Sequence, residues 1–263
     1  MRLEPSARNL SEYFDLSEKP RRHNGRKETV CRFNVDDDCK FKDQTSLRRT
    51  QLVQIFEVDT SIWVTFSFLV PQNFNNLTLD WQVEFTESSC WEVRLQLKNE
   101  KYPVVQILAN DNYSAPVWHR NLRINKWYNF GVFVTVKETI FYMSVGDGPL
   151  RYVATDRTAK CDVKKEDFQE HHFGLLSWQP GVHPNIGSTQ SILFSDIRAS
   201  AQIDDSMIRS DEGDHNGDST QDDGSESESE SGGVGRGVQN GRGHKSNGNA
   251  DGSLPSGCGQ NGN

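Results

Sequence analysis

Leu79-Asp80-Trp81-Gln82-Val83-Glu84-Phe85-Thr86 alternates an apolar with a polar residue over its whole length. On an extended chain Leu79, Trp81, Val83 and Phe85 share one face, and Asp80, Gln82, Glu84 and Thr86 the other. A period of two is the pattern of a strand with one face buried. Downstream, Trp91, Val93, Leu95 and Leu97 repeat it against Glu92, Arg94 and Gln96. Upstream, Ile62, Val64, Phe66, Phe68 and Val70 oppose Trp63, Thr65, Ser67 and Leu69, a second face that is only partly polar. Strands are also expected over residues 50–58, 104–108, 127–136, 139–145, 172–178 and 190–199, with a hairpin turning at Lys137-Glu138 and breakers at Gly146-Asp147-Gly148-Pro149. Apolar residues nowhere recur at helical spacing for three turns, so helix content is expected to be low. Around nine strands without crossover helices imply an all-β fold, an antiparallel β-sandwich of jelly-roll type.

Composition bounds this domain. All 26 aromatic residues of the 263-residue chain (6 Trp, 6 Tyr, 14 Phe) lie in the first 200 residues. Residues 201–263 carry 12 acidic and 4 basic side chains, which equals the net charge of -8 for the whole chain. A segment without aromatics and with excess charge buries too little surface to offset chain entropy. The expected organisation is a flexible polar arm over 1–28, a β domain over 29–203 and a disordered acidic, Gly/Ser-rich tail over 204–263. The basic run from Arg21 to Lys27 reads as a solvated terminus. No stretch approaches a membrane span, and no apolar secretory core is visible from Met1 to Lys27. A neutral first 200 residues argue against nucleic acid as the main partner, and a monomer is expected.

Among five cysteines, Cys31 and Cys39 bracket a short loop and could pair if the protein is exported, which the sequence leaves open; Cys90, Cys161 and Cys258 have no spacing signature. The cysteine and histidine spacings offer no zinc pattern, and neither a metal nor a cofactor is expected. Asp36-Asp37-Asp38 lacks calcium-loop spacing and reads as a solvated loop. The sequons at Asn9, Asn76 and Asn112 permit glycosylation.

Six blocks of sequence resemble glycoside hydrolase family 131, fungal and oomycete β-glucanases with a jelly-roll fold. Leu47-Arg48-Arg49-Thr50-Gln51-Leu52 is similar to the family's Arg-Arg-Ser-Glu-Leu segment, and the likeness continues at Asp80-Trp81-Gln82-Val83-Glu84-Phe85-Thr86-Glu87-Ser88. It runs on from Lys126-Trp127-Tyr128-Asn129-Phe130 through Gly146-Asp147-Gly148-Pro149-Leu150 to His172-Phe173-Gly174-Leu175-Leu176, and closes at Ser191-Ile192-Leu193-Phe194-Ser195-Asp196-Ile197. The resemblance implies an extracellular β-1,3-, β-1,4- or β-1,6-glucanase. It places an assisting arginine at Arg49, a catalytic glutamate at Glu87 and an assisting histidine at His172, with His171 as the register alternative. The family's other catalytic glutamate falls on Gln51, whose amide has no proton to cycle.

The opposing expectation is therefore a catalytically dead relative that only binds β-glucan. Continuing the period from Leu79, Glu87 falls on the apolar face, where a carboxylate is expensive without a purpose. Glu84 and Glu92 fall on polar faces and read as solvated charges. Trp81, Trp91 and Trp127 fit the core alternation, whereas Trp118, in an expected loop, and Trp178, beside Pro180-Gly181, are the candidates for stacking on a sugar ring.

Overall fold

The computed structural model describes residues 9–16, 18–40, 44–57, 60–71, 79–96, 103–109, 115–158, 161–162, 169–178 and 184–209, apart from the side chain of Trp178. These lie within one compact unit, Met1–Gly213. The tail from 210 on, with Cys258, and the sequons at Asn76 and Asn112 lie outside the described residues.

A four-residue helix, α1 (Leu10–Tyr13), precedes β1 (Phe14–Asp15), β2 (Arg21–His23), β3 (Arg26–Glu28), β4 (Val30–Val35), β5 (Leu47–Ile55), β6 (Ser61–Leu69), β7 (Trp81–Thr86) and β8 (Trp91–Gln96). The chain continues through β9 (Val104–Ala109), β10 (Trp118–Asn121), β11 (Trp127–Thr135), β12 (Thr139–Val145), β13 (Arg151–Asp156), β14 (Glu170–Trp178) and β15 (Gln190–Ser200). One sheet has the order β1-β4-β15-β6-β11-β12-β13, and the facing sheet the order β10-β9-β8-β7-β14-β5. The strand pairs within both sheets are antiparallel, which gives the expected sandwich. No helix among the described residues is long and apolar enough to cross a membrane.

All nine expected strands are present, and the hairpin at Lys137-Glu138 joins β11 to β12. The six further strands are short or break the alternation. Arg-Arg-His and Arg-Lys-Glu, for example, have no apolar residue to announce a strand.

Between the sheets lies an aromatic core. Phe66 stacks on Phe130 with centroids 5.0 Å apart and meets Phe173 of the other sheet edge-on at 5.8 Å. Trp81, Trp91, Tyr128 and Phe194 are fully buried around them. The second face of β6 is buried too, which explains its weak polarity in the sequence. Trp63 packs with Leu150 and Met207, beneath a segment whose backbone pairs with Leu150 on both sides: Leu150 N–H donates to Met207, and Arg209 N–H to Leu150.

Four expectations change here. Residues 204–209, assigned to the tail, pack on the domain, because Met207 covers Trp63. Residues 9–28 are not a flexible arm: β2 and β3 pair, and Arg21, His23 and Glu28 are buried. The Arg21 guanidinium donates to Asn129 at 2.7 Å and lies 4.5 Å over the Trp127 ring, while Glu28 accepts from Ser195 at 2.7 Å. Polar partners on β11 and β15, rather than apolar contacts, therefore bury Arg21 and Glu28, while Arg22, Arg26 and Lys27 stay exposed. Finally, Cys31 and Cys39 are free, and the disulfide is Cys90–Cys161, with Cα atoms 5.6 Å apart across 71 residues of sequence. Cys39 instead bonds Thr50, and its burial pushes the thiol up to about 12. Asp36-Asp37-Asp38 is also more than a solvated loop, since Asp37 accepts from the backbone N–H groups of Ile186 and Gly187 at 2.7 and 3.2 Å.

Candidate active site

The outer face of the six-stranded sheet is set by the register of β5, β14 and β7. Phe173 and Leu175 point into the core, so His172, Gly174 and Leu176 lie on the outer face. In the β5 ladder His172 opposes Val53, Gly174 opposes Gln51 and Leu176 opposes Arg49. Arg49 and Gln51, two residues apart on one strand, therefore share the face of His172. Gly174 has φ +147, and a Cβ there would meet the Thr50 carbonyl oxygen at 2.2 Å. The missing side chain lets β5 approach β14 beside Gln51.

A β-bulge decides the rest. Against β8, β7 shifts register between Gln82 and Glu84, leaving Val83 as the extra residue. Beyond it the faces exchange. Glu84 turns inward and is wholly buried, while Phe85 comes to the outer face opposite His172 and stacks on it, centroids 4.5 Å apart. Glu87 follows Phe85. It is thus not on the apolar core face, as an unbroken period requires; its side chain is 55% exposed on the outer side.

Glu84 is correspondingly not a solvated charge. Its carboxyl lies 3.1 Å from His171 Nδ1 inside the core. Burial raises Glu84 well above the usual carboxylate range, and burial lowers His171 to about 3. Burial thus favours the neutral form of both groups. His171, the register alternative, therefore faces the core, and His172 faces outward. Glu92 is buried on the outer face, paired to Arg94 at 2.8 Å and accepting from Gln82 at its other oxygen.

The outer site converges on His172 Nε2, which lies 3.2 Å from Glu87 Oε2 and 3.1 Å from Glu170 Oε1, aligned squarely with neither. Glu170 had no place in the sequence reading, although it stands two residues before His172 and so shares its face. The strands fix this pair: Glu87 N–H donates to the Glu170 carbonyl at 3.0 Å. The close approach of His172 Nε2 holds the Glu87 carboxyl below its usual range, against its own desolvation, with the charge of Arg49 adding to the effect. Arg49 is half-buried; burial lowers its guanidinium, and the charges of Glu87 and Glu170 oppose that. The donor atoms of Glu87, Glu170 and His172 all lie within 4.8 Å of one another, a set that is also suited to a cation. The amide of Gln51 is buried, and neither its oxygen nor its nitrogen has a partner.

Of the two expected sugar platforms, Trp118 is not part of this cluster. Trp118 begins β10 opposite Ile107, packs against the core, and stands three strands from β7, roughly 14 Å at the usual strand spacing. It lines a separate groove of about 610 Å³ with Arg120, Arg123, Lys126, Arg151 and Tyr152. Trp178 ends β14, and its side chain lies outside the described residues.

The profile described as the glycoside hydrolase 131 catalytic N-terminal domain matches residues 2–204. The crystal structure of a GH131 β-glucanase catalytic domain from Podospora anserina superimposes with a TM-score of 0.59 at 18% identity, covering 74% of this chain and 82% of that one. The catalytic domain of the glycoside hydrolase family 131 protein from Coprinopsis cinerea gives a TM-score of 0.53 at 18% identity, covering 68% and 74%. None of the curated proteins compared with the chain matches it. At these identities the two structures speak for the fold.

Proposed function

The chain belongs to glycoside hydrolase family 131, and from that membership we propose that the outer face of the six-stranded sheet is the cleft of a β-glucan hydrolase, with Glu87, His172 and Arg49 at its reacting centre. The observation that carries the reading is the convergence of the three residues, which come from three strands, onto one face. Glycoside cleavage needs a group that stays ionised to attack the anomeric carbon or activate water, and a group that protonates the departing oxygen. Glu87 suits the first task, because its contacts with His172 and Arg49 favour the anion. His172, stacked on Phe85, orients that carboxylate, and Arg49 adds positive charge. The Gln51 amide lies buried without a partner beneath this face. The cleft residues need no metal or cofactor for these roles. An exported protein fits the Cys90–Cys161 disulfide, since such bonds persist in oxidising compartments.

The test is reducing-sugar release from β-1,3-, β-1,4- and β-1,6-glucans. The wild type is expected to hydrolyse at least one, and Glu87→Gln to lose at least ~10²-fold in kcat with an unchanged thermal midpoint. Gln51 favours a second reading, a relative that binds β-glucan without cutting it. That reading predicts saturable binding with no turnover in the wild type, and turnover gained by Gln51→Glu.

A further inference from the structure

We propose that the groove beside Trp118 is a second carbohydrate site, separate from the cleft on the sheet face, and that it binds an acidic polysaccharide through the carboxylates of its uronate units. The proposal goes beyond the hydrolytic reading and does not depend on it. The groove, about 610 Å³ in volume, is lined from the edge strand of each sheet, β10 and β13. Trp118 and Arg120 come from β10, Arg123 and Lys126 from the connection to β11, and Arg151 and Tyr152 from β13.

Strand register makes two of these cations unexpected. Residues directly paired across antiparallel strands project to one face. Trp118 pairs with Ile107 and Arg120 with Val105, and both partners are wholly buried in the core. Across the groove Arg151 pairs with Met143, again a core residue. Arg120 and Arg151 therefore hold the inward side of their strands, where a sandwich places apolar side chains. Both are nevertheless exposed, because the strands that carry them are sheet edges. A polar residue at a core-facing position is a cost to the fold unless it has a task.

The protein supplies no counter-charge for them. No carboxylate lines the groove, and among the described residues none forms an ion pair with Arg120, Arg123, Lys126 or Arg151. Asp147, between the lining residues Gly146 and Gly148, instead approaches Arg21 at 3.9 Å. A concave wall of one sign focuses its field on a ligand of the other, so the complement is an anion. The aromatic residues select its kind. Trp118 is half-buried and Tyr152 exposed, and each offers a ring to stack on a sugar. Guanidinium groups match the planar carboxylate in two parallel hydrogen bonds. A polyuronate carries a sugar ring and a carboxylate in every unit. Nucleic acid calls for positive charge along a longer phosphate backbone, which a domain of balanced charge does not extend beyond the groove.

The experiment titrates the full chain with a linear oligogalacturonate and reads the heat of binding. Saturable binding is expected, weakening as salt rises and lost when the oligomer is methyl-esterified, which removes its charge and keeps its rings. Arg120→Gln combined with Arg151→Gln should weaken it about tenfold, and Tyr152→Ala severalfold. Both variants should keep the thermal midpoint and any release of reducing sugar from β-glucan. A wild type that shows no saturable binding overturns the proposal, as does equal binding of the esterified oligomer or an undiminished affinity in the double variant. Tighter binding of polyglutamate or of a single-stranded oligonucleotide also overturns it, assigning the groove to a peptide or to nucleic acid. A wild type that binds the galacturonate and is silent on every β-glucan supports this proposal and overturns the hydrolytic reading alone.

Discussion

His172 connects the candidate site through a single ring nitrogen, which lies within 3.2 Å of both Glu87 and Glu170 while Phe85 covers the ring face. Its close approach is the largest influence that lowers the Glu87 carboxyl. If activity requires the Glu87 anion, the acid limb of kcat/KM lies below the ordinary carboxylate range in the wild type. His172→Ala should move that limb to higher pH, so the variant loses proportionally more activity at pH 4 than at pH 7; a pH profile of both proteins measures it. The resemblance named Arg49, His172 and Glu87 as candidates from the sequence, and strand parity correctly grouped Arg49 with Gln51. Glu170 was not named, because a glutamate beside two histidines has no signal until the partner strand is known.

At the scale of single strands, two irregularities carry the interest. Gly174 allows β5 and β14 to close beside Gln51, and a methyl group there would strike the Thr50 carbonyl. Gly174→Ala should destabilise the fold by at least ~2 kcal/mol, measured as a lower denaturant midpoint, and should weaken any activity that depends on β5. The second is the shift in β15 between Ser195 and Arg198, where Asp196 adopts φ +56. Its side chain is buried, and desolvation together with the charge of Glu28 raises it from 3.8 to about 6, despite the half-exposed Arg198 beside it. Between those values the folded state holds a proton that the unfolded state has released. The contribution of Asp196 is therefore complete below pH 3.8 and is lost as pH rises through about 6. Asp196→Asn keeps a residue that tolerates positive φ. It should be about 1–3 kcal/mol more stable than the wild type at pH 8 and equal to it near pH 3, by denaturation at the two pH values. The β7 bulge has the same character: one extra residue exchanged the environments of Glu84 and Glu87, and no alternation of side chains announces such an insertion.

For the whole domain, Cys90–Cys161 joins the start of β8 to the segment after β13, and so ties the six-stranded sheet to the edge of the seven-stranded one. A closed loop of this length restricts the unfolded chain, which on the entropy model is worth ~4 kcal/mol. Reduction, or Cys90→Ser, should lower the stability by about 2–4 kcal/mol, read from denaturation with and without reductant. The Cys31–Cys39 expectation went wrong because proximity in sequence says little about proximity in a sandwich whose pairings are mostly long-range. The folded Arg21–Glu28 hairpin was hidden for a related reason: its burial depends on Asn129 and Ser195, more than a hundred residues away.

The sequence by itself determined the all-β class, the nine principal strands and the family, because a period of two and the order of the motif blocks are properties of the chain alone. Only the tertiary structure decided which carboxylates meet His172 and which histidine faces the core. Those outcomes follow from ladder register, and one bulged residue exchanges every side chain beyond it between the core and the cleft.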